Sequence, residues 1–360
     1  MRLAIDASRT TSARVTGTER YALEMIRALL QLDLPFAVTL FFRDTPPPNL
    51  FAGQPELTTR VIPFARAWTH ARFAAELMRE RFDLVWVPAH TLPFAFSGRA
   101  AVTIHDLGYK HFPEAHPPRQ RAYLNLTTRY SAGRARVVLA DSRATADDLN
   151  RFYKTPPDKI RVVYPGVDVP VVGDLERVRA KYNLPERYFL FLGTLQPRKN
   201  IARLAQAFRQ FKREHPESGM ALVLAGAQGW LFDPGWVEGI ENVIITGYVE
   251  DADKGAIYSG ATALVFPSLY EGFGFPVLEA MGCGTPVICS NTSSLPELAG
   301  DAALLVSPLE IEMIANAMRR VYEDRALRED MIAKGYQRIQ QFTWESAAKS
   351  ALDALLQGMA

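Results

Sequence analysis

Short apolar runs alternate with amphipathic stretches along the whole chain. In the first half, the runs that predict buried strands are Leu3–Asp6, Ala37–Phe42, Leu84–Val87, Ala101–Ile104 and Val137–Ala140. In the second half they are Tyr188–Gly193, Ala221–Ala225, Val243–Thr246, Ala263–Phe266, Val287–Ser290 and Ala303–Val306. Strands that alternate with helices predict parallel sheets with helices on both faces. We therefore predict an α/β protein with two doubly wound domains.

Stretches with helical spacing of apolar residues lie between these runs. The clearest are Glu19–Leu32, Phe73–Arg81, Ile201–His215, Glu312–Arg325 and Trp344–Gln357. Proline and glycine interrupt the pattern at residues 163–173, which predicts a boundary there. We assign residues 1–170 to a first domain and 171–343 to a second. Residues 344–360 form a last helix that either completes the second domain or crosses back to the first.

The composition is that of an ordinary globular protein. The chain has 360 residues, of which 48% are hydrophobic and 22% are charged. No apolar run approaches the 18 residues of a membrane span, and the N-terminus reads as a strand and not as a signal peptide. Cys283 and Cys289 lack metal-site spacing, so we expect reduced core thiols in a cytoplasmic protein.

The net charge of +2 conceals an asymmetry between the halves. Residues 1–165 carry 23 Lys and Arg against 15 Asp and Glu, whereas the remainder carries 18 against 24. A basic first half predicts an anionic partner such as a lipid headgroup, a lipid diphosphate or a nucleic acid; a solvated arginine-rich surface is the alternative. The arginines are scattered and lack interleaved aromatic residues, so we do not expect nucleic-acid binding.

The segment around residues 64–81 permits two interpretations. Apolar side chains alternate there with arginines: Phe64, Trp68, Phe73 and Leu77 among Arg66, Arg72, Arg79 and Arg81. Such a segment either contacts an anionic membrane surface or forms a core helix with a solvated arginine face.

The most informative stretch runs from Glu271 to Glu279. It follows a predicted strand and contains Phe273 between Gly272 and Gly274. It continues into a predicted helix with proline in its first turn. A carboxylate on a loop and a second carboxylate near a helix N-terminus suit a ligand with both phosphate and hydroxyl groups, because free N–H groups at the helix start bind anions. The alternative is a glycine-rich turn with one surface glutamate and one capping glutamate.

Two adjacent cations follow the first predicted strand of the second half. Arg198 and Lys199 lie just before a helix, where the helix dipole disfavours positive charge unless an anion binds. We therefore predict that they neutralise a diphosphate. A surface Arg-Lys pair is the alternative.

Three features of the first half are weaker candidates. His105 and Asp106 follow the strand at 101–104. The histidine could hydrogen-bond a sugar hydroxyl or contact the reacting centre through its backbone, and a structural role is the alternative. Asp106 either orients the histidine or caps the next turn. His90 is a similar candidate. Gly17, in Val15-Thr-Gly-Thr-Glu-Arg-Tyr21, would let a phosphate approach the backbone near a helix start. Two glycines of the dinucleotide fingerprint are missing, which argues against a nicotinamide enzyme.

The pair Asp251 and Asp253 invites a divalent-metal hypothesis. Both residues precede a predicted helix, where acidic side chains cap the chain end, and no further ligand candidates lie nearby in the sequence. We therefore do not predict a metal site.

Taken together, these motifs resemble the signature of retaining glycosyltransferases of family four, which have the GT-B fold of two Rossmann-like domains facing each other across a cleft. The resemblance extends over most of the chain: Glu271 with Glu279, Gly17, His105-Asp106, Pro165-Gly-Val-Asp168, residues 193–200, and Ser294-Leu-Pro-Glu-Leu. The loop Gly193-Thr-Leu-Gln-Pro-Arg-Lys-Asn200 is closest in style to bacterial mannosyltransferases. It departs from many members, since Thr194 replaces a phosphate-binding arginine and Gln196 replaces a glutamate.

The resemblance implies a role for each matching residue. Arg198 and Lys199 would hold the diphosphate of a nucleotide-sugar donor, Glu271 the sugar hydroxyls and Glu279 the ribose, and His105 would touch the sugar. Gly17, Asp106, Gly193, Thr194, Phe273 and Gly274 would complete the donor site. The last helix would cross back to the first domain, and no metal would be needed.

The predicted activity is hexosyl transfer with retention of configuration, with GDP-mannose as the first choice of donor. The acceptor would be a glycan or a lipid-diphosphate-linked glycan, and the enzyme would be cytoplasmic or peripheral on the inner face of the plasma membrane. A nucleotide-sugar epimerase with the same fold and a catalytically silent nucleotide-sugar-binding protein are the alternatives.

Overall fold

The computed structural model describes residues 1–12, 16–51, 57–229 and 231–360. The chain forms two compact units, and each contains one parallel β-sheet. The first unit comprises Met1–Gly166 with Phe342–Ala360, and the second comprises Val167–Gln341. The prediction of two doubly wound α/β domains is confirmed at the level of secondary structure and sheet order.

In the described part of the first unit the sheet has seven strands, in the order β3-β2-β1-β4-β5-β6-β7. The strands are β1 (Arg2–Asp6), β2 (Ala37–Phe42), β3 (Leu57–Val61), β4 (Leu84–Val87), β5 (Ala100–Ile104), β6 (Val137–Ala140) and β7 (Ile160–Val162). The order reverses between β1 and β4. In such sheets, ligands bind beyond the carboxyl ends of the strands, near this reversal.

The sheet of the second unit repeats the arrangement in the order β10-β9-β8-β11-β12-β13. Its strands are β8 (Tyr188–Leu192), β9 (Ala221–Ala225), β10 (Val243–Gly247), β11 (Ala263–Phe266), β12 (Val287–Ser290) and β13 (Ala303–Val306). Here the reversal lies between β8 and β11, which pair directly in parallel. The loops that follow these two strands therefore leave the sheet side by side.

Helices connect the strands in both units. Those of the first unit are α1 (Gly17–Leu30), α2 (Ala74–Leu77), α3 (Gly108–His111), α4 (Pro118–Arg134) and α5 (Arg143–Tyr153). Those of the second are α6 (Leu175–Tyr182), α7 (Ile201–Glu214), α8 (Lys254–Ser259), α9 (Phe275–Gly282), α10 (Leu295–Ala299), α11 (Ile311–Glu323) and α12 (Arg325–Ile339). The final helix, α13 (Trp344–Met359), belongs to the first unit.

Helix α13 is held in the first unit by its apolar face. Ala347, Ala351 and Leu355 are buried in one cluster with Met25 and Leu29 of α1. Small residues allow the helix to lie close to the sheet, since a Cβ at Gly358 would stand 3.1 Å from Val137. Spacing of three and four residues between the apolar positions, visible in the sequence, is what gives the helix this face.

The structure adds two strands that the sequence pattern did not predict. Strand β3 reads Leu-Thr-Thr-Arg-Val and is largely exposed, so it lacks the apolar run expected of a buried strand. Strand β7 has only three residues. Both lie at the edges of the sheet, where one neighbour supplies all the pairing and a hydrophobic run is not required.

The segment at 68–77 is part of the core. Trp68, Phe73 and Leu77 are buried, and Trp68 donates its indole N–H to the carbonyl of Ile62 at 2.8 Å. Residues Trp68–Phe73 form a π-helical turn that continues into α2. Of the four apolar side chains in the membrane hypothesis, Phe64 is the exposed one. The alternative of a core segment with solvated arginines therefore fits this part of the structure. No helix among the described residues is both long and apolar enough to span a bilayer.

Candidate functional site

The loops after β8 and β11 bring Arg198, Lys199 and Glu271 together in the second unit. The first loop forms a short 3-10 turn, Pro197–Lys199, and the second leads from Phe266 into α9. Lys199 Nζ donates to Glu271 Oε1 at 2.5 Å, and Arg198 Nη1 donates to Glu271 Oε2 at 3.0 Å. The two cations were predicted to lie at a strand end, and the structure adds that they share one carboxylate.

This cluster is shielded from solvent. The residues Lys199 and Glu271 are 8% and 6% exposed, and the Lys199 ammonium lies 5.0 Å from the centre of the Phe266 ring. Burial acts to raise the pKa of Glu271, but the nearby charges of Arg198 and Lys199 outweigh it, so the pKa lies below its ordinary value. Glu271 is therefore ionised at neutral pH, and the cluster carries two positive charges against one negative charge.

A third loop, after β12, fixes the backbone around Glu271. The backbone N–H of Glu271 donates to Ser293 Oγ at 3.0 Å, and Ser294 Oγ donates to the carbonyl of Glu271 at 3.0 Å. Ser294 Oγ also donates to the carbonyl of Phe273. Sequence reasoning missed the role of Ser293. Its position just after the strand that pairs with β11 was the available signal.

Gly274 is required where this loop enters α9. Its φ is +125°, and a Cβ at this position would lie 2.7 Å from Leu295 Cδ2. Pro276 follows in the first turn of the helix, as predicted from the sequence. Phe273 is buried and its ring packs 5.0 Å from that of Phe275.

Glu279 lies further along the same helix with a different partner. It is 5% exposed, and its Oε2 accepts a hydrogen bond from the hydroxyl of Tyr258 at 2.8 Å. The two glutamates of the motif therefore have distinct surroundings: Glu271 lies between two cations, and Glu279 lies against a phenol on α8. The predicted division of roles between them stays a prediction.

The loop after β8 contains the remaining predicted residues of this unit. Gly193 has a φ of +149° and Thr194 is exposed. The backbone of Gly226, after β9, approaches the carbonyl of Gly193 so closely that a Cβ there would lie 2.1 Å from the oxygen. Asn200 ends the turn and donates to the carbonyls of Pro267 at 3.0 Å and Pro308 at 2.6 Å, which ties three loops together.

In the first unit, His105 lies at the carboxyl end of β5 with both ring nitrogens engaged. Nδ1 lies 2.7 Å from Asp141 Oδ2, and Nε2 lies 2.9 Å from the carbonyl of Pro88. Burial acts to lower the pKa of His105, but the Asp141 carboxylate acts to raise it. The second effect prevails, so the pKa of His105 lies above its ordinary value. A ring that faces two acceptors is best satisfied as an imidazolium.

The carboxylate at the His105 ring is Asp141, which sequence reasoning missed. Asp141 follows β6 directly, and β6 pairs with β5, so adjacency of the two strand ends was the available signal. Asp106 accepts from the backbone N–H of Gly108 at 2.8 Å. Of the two roles considered for Asp106, the structure shows the capping of the next turn.

The side chain of His90 contacts the backbone of His105. The N–H of His105 points to His90 Nε2 at 3.3 Å, so that nitrogen is the unprotonated acceptor. Burial and the neighbouring His105 lower the pKa of His90 to about 3. His90 is therefore neutral beside a cationic His105.

Gly17 is the first residue of α1, as expected for a glycine near a helix start. Thr16 caps the helix together with Glu19, whose Oε2 accepts from the backbone N–H of Thr16 at 3.1 Å. Glu19 also pairs with Arg9 at 3.1 Å. Val15, at the beginning of the predicted loop, lies outside the described residues.

Asp253 is an ion-pair centre. It accepts from Arg177 at 2.5 Å, Lys181 at 2.7 Å and the Tyr182 hydroxyl at 2.9 Å, and these hydrogen bonds lower its pKa to about 2. Asp251 pairs with Lys254 at 2.5 Å. Within the described residues, no group of three or more His, Cys, Asp or Glu side chains could hold a metal ion.

The two cysteines match the expectation of core thiols. Cys283 and Cys289 are free and buried. Burial raises the pKa of each thiol to about 12, so both stay protonated at neutral pH.

Known proteins resemble this chain in both sequence and fold. A family model described as Glycosyltransferase Family 4 matches residues 15–170, and one described as Glycosyl transferases group 1 matches residues 174–338. The O-antigen chain mannosyltransferase B of Escherichia coli is 31% identical over 367 aligned positions, which cover 94% of this chain and 96% of that protein.

Solved structures share the fold at lower identity. Sucrose-phosphate synthase from Thermosynechococcus elongatus has a TM-score of 0.75 and 22% identity, with coverage of 99% of this chain and 98% of that one. Anabaena HepE in complex with UDP-glucose has a TM-score of 0.71 and 17% identity, with the same coverage of both chains. The predicted GT-B fold is confirmed. The chain therefore belongs to the glycosyltransferases that combine a Family 4 first half with a group 1 second half.

Proposed function

We propose that the protein transfers mannose from GDP-mannose to a growing surface glycan, with retention of anomeric configuration and without a metal ion. The arrangement of Arg198 and Lys199 around Glu271 is the observation that carries the proposal. The name of the Escherichia coli relative supports mannose as the sugar and an O-antigen type of glycan as the product. A nucleotide-diphosphate sugar as donor agrees with the ligand that the HepE structure contains.

The two cations suit the departing diphosphate. Glycosyl transfer leaves negative charge on the leaving phosphate, and preorganised positive groups in a water-poor site stabilise that charge most effectively. Arg198 and Lys199 both pair with Glu271, and Lys199 is buried. Because they supply positive charge at this point, the proposed reaction needs no divalent ion there.

The surroundings of Glu271 support the part of the proposal that concerns retention. Each of its oxygens accepts from a cation, at 2.5 Å and 3.0 Å, so the carboxylate is engaged and its basicity is reduced. A carboxylate of this kind is a poor covalent nucleophile. We infer that the acceptor hydroxyl attacks the same face from which the diphosphate leaves, with the leaving phosphate as the base.

In the first unit, His105 would act as a cation near the sugar. The imidazolium is held by Asp141 and by the carbonyl of Pro88. Direct contact of the ring with a hydroxyl would require it to release one of these acceptors. We infer that the basic character of residues 1–165 serves the acceptor, whose lipid diphosphate or membrane surface is anionic.

The decisive experiment supplies the purified protein with GDP-mannose, UDP-glucose or another nucleotide sugar, with and without a mannose-terminated acceptor. In the presence of acceptor, the expected result is transfer from GDP-mannose and not from the other nucleotide sugars. NMR of the product should show the same anomeric configuration as the donor. EDTA should not reduce the activity. Conversion of the donor without acceptor would identify an epimerase. Donor binding without transfer to any glycan extract would identify a silent binding protein. Transfer with inversion would remove the same-face mechanism.

Membrane contact is tested separately. Co-sedimentation with phosphatidylglycerol vesicles at low salt, lost at high salt, is the expected result if the basic first unit meets the membrane. A protein that stays in the supernatant at low salt would show that the acceptor reaches the enzyme without such contact.

A further inference from the structure

A cationic cavity lies on the first unit between α3 and the start of α4. It has a volume of about 310 Å³ and is lined by Tyr109, Lys110, Pro118, Arg121 and Asn125, among others. Helix α3 follows β5 through His105–Leu107, so the lining residues Tyr109 and Lys110 lie just beyond the carboxyl end of this strand. That edge is where doubly wound sheets bind ligands.

Lys110 has no carboxylate within ion-pair distance among the described residues. Its ammonium lies 4.9 Å from the centre of the Tyr153 ring and 5.8 Å from that of Phe152. The Asp148 carboxylate pairs instead with the adjacent residue, His111, at 2.8 Å. Burial lowers the pKa of Lys110, and repulsion by Arg129 lowers it further. An anion in the cavity would oppose this lowering, because a nearby negative charge favours the ammonium form.

Arg121 also lacks a carboxylate partner within the described residues. It donates to the carbonyl of Pro113 at 3.3 Å, which leaves most of its five N–H donors available. Arg121 lies in the first turn of α4, as does Arg119, and this helix starts without a capping side chain or an acidic residue in that turn. The positive end of the helix dipole disfavours two arginines at this position, whereas it favours a bound anion.

The polar lining residues Tyr109 and Asn125 are linked by hydrogen bonds through Tyr153. The Tyr109 and Tyr153 hydroxyls are 2.7 Å apart, and Tyr153 donates to Asn125 Oδ1 at 2.9 Å. The side-chain amide N–H₂ of Asn125 is thus the part that can donate to a ligand. The Arg121 guanidinium, the Lys110 ammonium and the Asn125 amide together supply donors that suit a tetrahedral oxyanion.

We propose that this cavity binds a phosphate or diphosphate group, and that the molecule carrying it is the acceptor. Phosphate binding stands on the cavity alone, whereas the assignment to the acceptor rests on the proposed function. Ligand pockets usually measure roughly 300–1,000 Å³. At about 310 Å³ the cavity holds the anionic group and leaves the rest of the acceptor outside.

The first test measures the local environment of Lys110 in the full-length protein. Acetylation of individual lysines by acetic anhydride, quantified by peptide mass spectrometry, is followed while inorganic pyrophosphate is added. The acetylation rate of Lys110 is expected to fall at least fivefold, while that of Lys154, an exposed lysine of the same unit, changes less than twofold. Equal protection of both lysines would overturn the site. The readout does not depend on transfer, so an inactive protein still tests it.

Two arginine variants separate the cavity from the general charge of the surface. R121Q removes a cation that lines the cavity, and R119Q removes the same charge from the same helical turn outside the lining. The pyrophosphate concentration for half protection of Lys110 is expected to rise about tenfold in R121Q and less than threefold in R119Q. Equal shifts in the two variants would reduce the proposal to diffuse surface charge.

The source of the phosphate is resolved by changing the protecting molecule. A polyprenyl diphosphate in detergent micelles is expected to protect Lys110 at least as well as pyrophosphate. Protection only by phosphatidylglycerol vesicles, or only by free pyrophosphate, would overturn the acceptor assignment.

In transfer assays K110Q is expected to raise the KM for a diphosphate-linked acceptor more than fivefold and leave the KM for the nucleotide sugar unchanged. The opposite split would place the anion site with the donor.

Discussion

Lys199 Nζ and Glu271 Oε1 lie 2.5 Å apart, although 72 residues separate them in the sequence. The contact exists because β8 and β11 are neighbours at the point where the strand order reverses, so that the loops after them meet. A carboxylate placed between Lys199 and Arg198 keeps two cations together in a largely dry site. The groups that we propose to hold a diphosphate are thus stabilised before any ligand binds.

Removal of the carboxylate is expected to destabilise the second unit more than removal of one cation. E271Q removes the charged carboxylate that Arg198 and Lys199 share, which should cost about 3 kcal/mol in the free energy of unfolding. K199M should cost less, because Arg198 still pairs with Glu271. Urea unfolding of both variants measures the difference, with K349M as the control, since Lys349 forms an exposed pair on α13. A larger loss in K199M than in E271Q would contradict this account.

Replacement of Lys199 should impair activity strongly, although it should cost less stability than replacement of Glu271. We expect the K199M protein to remain folded but to lack a cation that, in the proposed mechanism, faces the leaving phosphate. The kcat/KM is therefore expected to fall about 100-fold, or about 2.7 kcal/mol in transition-state stabilisation. K349M should retain normal kcat/KM. Near-normal turnover by K199M would remove Lys199 from the proposed mechanism.

The stability of the protein should depend on pH through Glu271. Its pKa in the folded protein lies below the ordinary 4.5, so its contribution to stability is complete above that value and is lost as the pH falls through the folded-state pKa. The difference in unfolding free energy between the wild type and E271Q is therefore expected to shrink as the pH decreases from about 5 toward about 3. Urea unfolding at several pH values measures this difference. A constant difference would show that Glu271 does not titrate in this range.

The pKa of His105 should fall when Asp141 is replaced. In D141N the carboxylate that raises the pKa is absent, while burial continues to lower it, so the pKa is expected to drop below its ordinary value. NMR of the imidazole nitrogens would show His105 neutral at pH 7 in D141N and cationic in the wild type. His70, whose contacts are to Phe94 and Tyr123, serves as the internal control and should titrate unchanged. An unaltered His105 signal would contradict the assigned ion pair.

The sequence predicted the central strands, and it placed Arg198, Lys199 and Glu271 after such strands, because both inferences depend on local patterns. Continuous apolar runs mark strands that are covered on both faces, and Arg198, Lys199 and Glu271 each follow such a run closely. The edge strands β3 and β7 escaped prediction because an edge needs no apolar run. Asp141 and Ser293 escaped for another reason: their roles depend on which strands are neighbours, and strand order is a long-range property.

The alternatives for Asp106 and for residues 64–81 could not be decided without tertiary structure. The sequence offered Asp106 as the residue that would orient His105, whereas the pairing of β5 with β6 brings Asp141 to the ring. Likewise, the spacing of Trp68, Phe73 and Leu77 predicts one apolar face, but the face buries itself in the core of the first unit. A periodic pattern of apolar residues predicts which face of a segment is buried, but it does not identify whether that face packs against the protein core or a membrane.

The last prediction concerns the backbone that supports the loop after β8. A Cβ at Gly226 would lie 2.1 Å from the carbonyl oxygen of Gly193, and the φ of Gly226 is +142°, so G226A must displace the loop that carries Arg198 and Lys199. We expect a loss of more than about 2 kcal/mol in unfolding free energy and weaker donor binding. Urea unfolding and calorimetric titration with the nucleotide sugar measure the two effects.

G133A is the matched control for G226A. Gly133 lies in α4, and a Cβ added there would have no atom within 4 Å, so alanine should be neutral or stabilise by about 0.5–1 kcal/mol. The Cβ of G226A meets backbone and not a flexible side chain, so a rotamer change cannot relieve the strain. Retention of full donor affinity by G226A would therefore mean that donor binding tolerates displacement of the loop at Gly193.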